Sequence, residues 1–91
     1  MEIVTINASF DKKRKVEFYQ TMESLKTLVK NYCSEFELDV SPDNNLEIKI
    51  TFNSIDEFKS NFNNNEFNIL KGSIRSLCDD VKIQVNSASI Q

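Results

Sequence analysis

Hydrophobic residues fall along this chain in two rhythms, one of period two and one near 3.6, the signatures of strand and helix. Ile3, Val4, Thr5 and Ile6 form a β-branched run free of Gly and Pro, which predicts a strand within the first ten residues. Asp11 is placed to cap a helix. Phe18, Met22, Leu25, Val29 and Tyr32 follow at steps of 4, 3, 4 and 3, one continuous helical stripe that Leu28 is expected to widen. Beyond Tyr32 the period becomes two. Phe36, Leu38 and Val40 alternate with Glu35, Glu37 and Asp39, and Ser41-Pro42-Asp43-Asn44-Asn45 supplies turn chemistry. Leu46, Ile48, Ile50 and Phe52 then alternate with Glu47, Lys49 and Thr51, completing a β-hairpin.

Ser54 and Glu57 have the spacing of a capping box, opening a helix that carries Phe58 and Phe62. Asn63-Asn64-Asn65 interrupts it, and Phe67, Leu70, Ile74 and Leu77 resume at helical spacing. Val81, Ile83 and Val85 alternate with Lys82, Gln84 and Asn86 in a last strand. The order βαββαβ predicts an α+β, ferredoxin-like fold, an antiparallel four-stranded sheet with two helices on one face. Ninety-one residues suit one domain over 1–91, with no repeat and no linker. Each strand offers an apolar side to the helices. The other side of the sheet should carry Ile3, Thr5, Asn7, Glu35, Glu37, Asp39, Glu47, Lys49, Thr51, Lys82, Gln84 and Asn86. That face is polar, unlike a dry quinone or haem pocket.

Composition narrows the classes. With 40% hydrophobic residues and nine aromatics the chain can bury a core, which argues against disorder. No apolar run approaches the ~20 residues that span a bilayer, and the N-terminus lacks the pattern of a signal peptide, so a cytoplasmic protein without membrane association is expected. The net charge of −3 is divided unevenly, +2 over residues 1–30 and −5 over 31–91. Such a chain is poorly suited to nucleic acid. The run Lys12-Lys13-Arg14-Lys15 has no interleaved aromatics to stack bases and reads as a solvated loop. Cys33 and Cys78 have no CxxC spacing and no histidine nearby, so buried thiols are expected rather than a disulfide or a nucleophile.

Several segments resemble the antibiotic-biosynthesis-monooxygenase family. Val16-Glu17-Phe18-Tyr19-Gln20-Thr21-Met22-Glu23-Ser24-Leu25 looks like that family's first helix, which often reads EF-x-Q-T-x-x-S-L. Asn31-Tyr32-Cys33 falls where K-G-C is common, and Thr51-Phe52 falls at an E-W pair. Asp56 to Asn61 resembles D-L-x-x-H, Glu66 to Gly72 resembles F-x-V-L-x-G, and Lys82-Ile83-Gln84-Val85 stands at the final strand. The similarity runs from Lys15 to Ser89. It implies a homodimer whose sheets join into a dimeric α+β barrel. It further implies cofactor-independent oxidation of a phenolic or quinol-like small molecule by O₂, without metal or flavin. The sequence departs from the pattern at its chemistry: the usual histidine is Asn61, the usual tryptophan is Phe52 and the preceding glutamate is Thr51. With no histidine in the chain, imidazole can neither ligate haem nor serve as a base.

Four residues remain as candidates for orienting a substrate. Asn7 stands where the haem-degrading branch of these proteins often has an asparagine, and its amide can hydrogen-bond a carbonyl or oxyanion. Tyr32 and Arg75, with Tyr19, can handle a phenol or enolate. Asn61 can donate hydrogen bonds but cannot shuttle protons. Each has a plainer role open to it: Asn7 as a solvated strand position, Tyr32 as a helix end, Arg75 and Asn61 as surface or structural residues. Glu35, Glu37, Asp39 and Glu47 can crowd into an acid/base pair or a hard-cation site, or stand as a solvated face balanced by Lys49 and Lys82. The alternative to an oxygenase is a non-catalytic barrel binding a small polar ligand or a protein partner.

Overall fold

The alternating segments pair as their patterns require. In the computed structural model, which describes residues 1–87, β1 (Glu2–Phe10), β2 (Glu35–Val40), β3 (Asn45–Phe52) and β4 (Cys78–Ser87) form one antiparallel sheet. Its order is β2-β3-β1-β4. The connections are α1 (Lys15–Val29) and the pair α2 (Ile55–Asn61) and α3 (Asn65–Leu77), giving the ferredoxin-like α+β architecture. The expected domain and the family-like stretch both run past Ser87, and their last residues lie outside the described ones.

Even-numbered positions of β1 and β3 are the buried ones, with Val4, Ile6, Ile48, Ile50 and Phe52 fully enclosed. α1 covers them with Phe18, Met22, Leu25 and Val29, and α3 with Phe67, Leu70 and Ile74. Two aromatic groups tie the layers together. Phe10 stacks on Phe18 at 4.5 Å between centroids, while Phe52 meets Phe58, Phe62 and Phe67 at 5.5, 6.2 and 5.7 Å. Leu28 departs from expectation. It is 38% exposed, because it lies roughly 90° around the helix from the centre of the buried stripe.

The helix boundaries follow local chemistry. Asp11 accepts the Lys13 N–H at 2.9 Å and starts a 3₁₀ turn (Lys12–Arg14) that runs into α1. A second 3₁₀ turn, Lys30–Tyr32, tightens the far end. Ser54 caps α2 through the Glu57 N–H, but Glu57 reaches back to the Asn53 N–H rather than to Ser54 itself. The asparagine run breaks the helix as expected, since Asn64 accepts the Phe67 N–H at 2.9 Å and caps α3. Lys71 closes the break: its ammonium donates to the Phe62 carbonyl at 3.0 Å and sits 4.2 Å from the Phe62 ring centre.

Among the described residues, Asn44 and Asp80 have left-handed φ. Asn44, at φ 62°, ends the β2–β3 turn, a residue type that tolerates this conformation. Asp80, at φ 52°, sits in a bulge where Asp80 and Val81 stand opposite Ala8 alone. At the sheet edges the helices give incomplete cover. Phe36, Leu38 and Val40 of β2 and Val81 and Ile83 of β4 are half-buried, and Val85 is exposed.

Candidate functional site

Because side chains alternate strictly, the same register that buries one face composes the other. Across the uncovered face run three rows. Glu35, Thr51, Ile3 and Asn86 form one, Glu37, Lys49, Thr5 and Gln84 the second, and Asp39, Glu47, Asn7 and Lys82 the third. The twelve residues expected on this face all lie on it, and the register adds Ser9 and Asn45, which pair with each other at its end. Residues directly opposite have Cβ atoms ~5 Å apart. Lys49 therefore stands against Glu37, whereas Asp39 stands against Glu47, two like charges side by side. Lys82 is two strands from Glu47, about 10 Å, with Asn7 between them.

Open hollows mark this face among the described residues. One of about 390 Å³ is lined by Asn7, Asp39, Ser41, Asp43, Asn45 and Glu47. A second, about 280 Å³, shares Asn7 and adds Ser9, Asp80 and Lys82. A third, about 270 Å³, lies at the opposite end among Ile3, Ser34, Glu35, Lys49 and Thr51. Among the described residues no three Asp, Glu or Cys side chains gather as a metal ion would require. The bulge brings Asp80 to the rim, and the hairpin turn brings Asp43 and Asn45. Nothing in the DDV segment signals a bulge, so Asp80 was not foreseeable; the turn residues were recognisable as a turn but not as a rim.

The four candidate residues do not converge. Asn7 lies on the uncovered face, on the inner strand β1 and in the row nearest the hairpin turn, partly buried. Tyr32 lies in the helix layer against the core, and the Asn61 amide donates to its carbonyl at 3.1 Å. Asn61 thus ties the end of α2 to the turn after α1, on the side away from Asn7. Arg75 is exposed on α3. Phe52, at the position of the family's tryptophan, is a core residue with no exposure, while Thr51 does face the uncovered side. Arg14 of the basic run donates to the Ser76 carbonyl at 3.3 Å, pinning α1 to the end of α3.

The thiols belong to the covered side. Cys33 and Cys78 are both free, and each is pushed up to about 11, chiefly by burial and then by a nearby carboxylate, Glu57 and Asp79 respectively. Neither is a thiolate near neutral pH. No helix among the described residues is long and apolar enough to cross a membrane.

No family model and no curated protein matches the sequence. Solved structures do match. A Deinococcus radiodurans protein provisionally named an antibiotic biosynthesis monooxygenase superposes with a TM-score of 0.84 at 11% identity, over 100% of this chain and 95% of its own. Another structure named antibiotic biosynthesis monooxygenase gives 0.80 at 12% identity, over 99% and 100% of the two chains. This chain has the fold of these structures. Rv0793 of Mycobacterium tuberculosis is similar to the same degree, with a TM-score of 0.80 at 11% identity over 99% and 96%. Identity this low carries the fold and not the site. Among the described residues, polar side chains from all four strands meet on the uncovered face.

Proposed function

We propose that the chain is a cofactor-independent monooxygenase of the antibiotic biosynthesis monooxygenase type, acting on a phenolic or quinol-like small molecule on the uncovered face of its sheet. The observation that carries this is the full-length likeness to structures so named, which extends over 100% of the chain at a TM-score of 0.84. In this reading two copies in the cytoplasm close their sheets into a barrel. The half-covered apolar rows on β2 and β4 favour such closure, since each edge leaves hydrophobic surface for a second copy to bury. Asn7, on the inner strand β1, would donate its amide to the substrate oxyanion, the electron-rich form that gives up an electron to O₂ most readily. A carboxylate of the same face, Glu37 or Glu47, would accept the phenolic proton. Tyr32, Asn61 and Arg75 are set aside as substrate contacts, because they lie in the helix layer.

A second reading is favoured by a different observation. The face offers carboxylates, amides and two ammonium groups but neither imidazole nor indole, which suits a barrel that holds a small polar ligand without transforming it. Oxygen uptake with a panel of quinols and anthrones, run beside a thermal-shift screen of polar metabolites, separates the two. Uptake that falls at least tenfold in Asn7→Ala supports the oxygenase. A ligand-dependent thermal shift with no oxygen uptake replaces it with the binding barrel.

A further inference from the structure

The two lysines of the uncovered face have unlike neighbours. Lys49 of β3 stands opposite Glu37, whereas Lys82 of β4 stands opposite Asn7, a neutral amide ~5 Å away between Cβ atoms. Just past the Asn7–Lys82 pair the bulge at Asp80 breaks the ladder, and a hollow of about 280 Å³ opens there, lined by Asn7, Ser9, Asp80 and Lys82. Among the described residues, neither the Lys82 ammonium nor the Asn7 amide has a hydrogen-bond or ion-pair partner within the chain, Asp80 included. The Ser9 hydroxyl donates to the Asp79 carbonyl at 3.4 Å. The next carboxylates, Asp39, Asp43 and Glu47, line the neighbouring hollow on the other side of Asn7. Glu23 and Lys26 of α1 lie farther off, at the β2 edge and three strands from β4.

Resting on the reading that this face takes a phenolic substrate, we propose that Lys82 binds the substrate's anionic oxygen jointly with Asn7, and so makes the site selective for a phenol or enol that ionises over an ether of the same shape. An ammonium and an amide on adjacent strands offer N–H donors from two sides, and an ionised oxygen accepts both. The surroundings make the cation necessary. Asp39, Asp43, Glu47 and Asp80 are the other charged groups around Asn7, and all of them repel an oxyanion. Lys82 is the opposing charge nearest to Asn7, and no carboxylate stands directly across from it to cancel it. Lys49 is compensated by Glu37 in its own row. An ether oxygen carries no charge and gains nothing comparable from Lys82, so the discrimination resides in the charge and not in the shape of the ring. Glu47 stands directly opposite Asn7 on its other side, the carboxylate placed to take the proton that the substrate oxygen loses.

Titration of the full chain with 4-nitrophenolate at mildly alkaline pH, followed by the visible absorption band of the anion, tests this without turnover. Lys82→Met should weaken binding about tenfold or more, and Lys82→Arg should restore most of it. 4-Nitroanisole, the methyl ether of the same ring, should bind more weakly than the anion, and equally to the wild type and to Lys82→Met. Lys49→Met removes the same charge from another exposed position of this face and should change phenolate binding only slightly. Unchanged phenolate binding in Lys82→Met overturns the proposal, as does an equal loss in Lys49→Met, which reports only net charge. A wild type that binds neither probe, or holds the ether as tightly as the anion, overturns it too. Absence of oxygen uptake across the quinol panel overturns the oxygenase reading instead, and leaves phenolate binding at Lys82 to be decided by these titrations alone.

Discussion

One sheet here has two opposite fates. On the covered side, Val4, Ile6, Ile48, Ile50 and Phe52 have no exposure at all; one residue along, Thr5, Asn7, Lys49 and Thr51 meet solvent. The backbone is the same and the hydrogen-bond ladder is shared. The difference lies in what each side is asked to do. The covered side is a packed interior, where a lost methyl group leaves a void. The uncovered side contributes little to the fold of the protomer, so its residues are free to be chosen for a ligand, a partner or assembly.

The largest effect that tests this contrast is truncation of Phe52. Its ring touches three other Phe rings and is wholly enclosed, so Phe52→Ala should cost about 3–5 kcal/mol in denaturant unfolding. A loss under about 1 kcal/mol would mean the aromatic cluster is loosely packed. Next comes a pair of adjacent substitutions in β1. Ile6→Thr puts a hydroxyl into the interior and removes apolar volume, an expected loss of about 2–3 kcal/mol. Thr5→Val, its neighbour on the other face, should stay within about 0.5 kcal/mol. The comparison breaks if the two substitutions cost the same.

A smaller effect concerns Asn61. Its amide holds the Tyr32 carbonyl, joining α2 to the turn after α1. Asn61→Ala should cost about 1 kcal/mol of stability and leave ligand binding or oxygen uptake at the uncovered face unchanged. A loss of activity without a loss of stability would return Asn61 to the site.

How much of this was legible beforehand follows from which interactions are local. Alternation at Leu46, Ile48, Ile50 and Phe52 fixed both the strand and which residues share a face, because side-chain direction in a strand is strictly periodic. Twelve residues of the uncovered face followed from that rule, while Ser9 and Asn45, at the strand ends, needed the register itself. The Asn64 cap was visible as an interruption for the same reason, since an asparagine side chain bonds its own backbone three residues on. What the pattern could not supply was pairing at a distance. Tyr32 and Asn61 are separated by 29 positions, and only the packed fold shows that they meet each other rather than Asn7. The exposure of Leu28 and the bulge at Asp80 were hidden likewise, the first depending on how wide a stripe the sheet can cover and the second on register.

The last prediction uses the thiols as reporters of how dry the covered side is, and its effect is confined to alkaline pH. Both Cys33 and Cys78 are pushed up to about 11 in the folded chain, from 9.0, chiefly by burial. Between those values the unfolded chain sheds thiol protons that the folded chain retains. The folded state binds more protons, so unfolding free energy should fall as pH rises through that window and be unaffected below it. Lys71 opposes this trend. Its ammonium is held below 10.5 by burial and then by Arg75, so in the lysine range the unfolded chain is the more protonated and stability rises with pH. The two contributions separate by substitution. Cys33→Ala with Cys78→Ala should flatten the alkaline decline, whatever it costs at neutral pH, while Lys71→Met should steepen it. Thiol-reagent kinetics give an independent reading: both cysteines should react slowly in the folded chain at neutral pH and rapidly on unfolding. Fast native labelling of Cys78 would show that the sheet end beneath α3 opens, and the contrast between the two faces would be weaker at that corner than its packing implies.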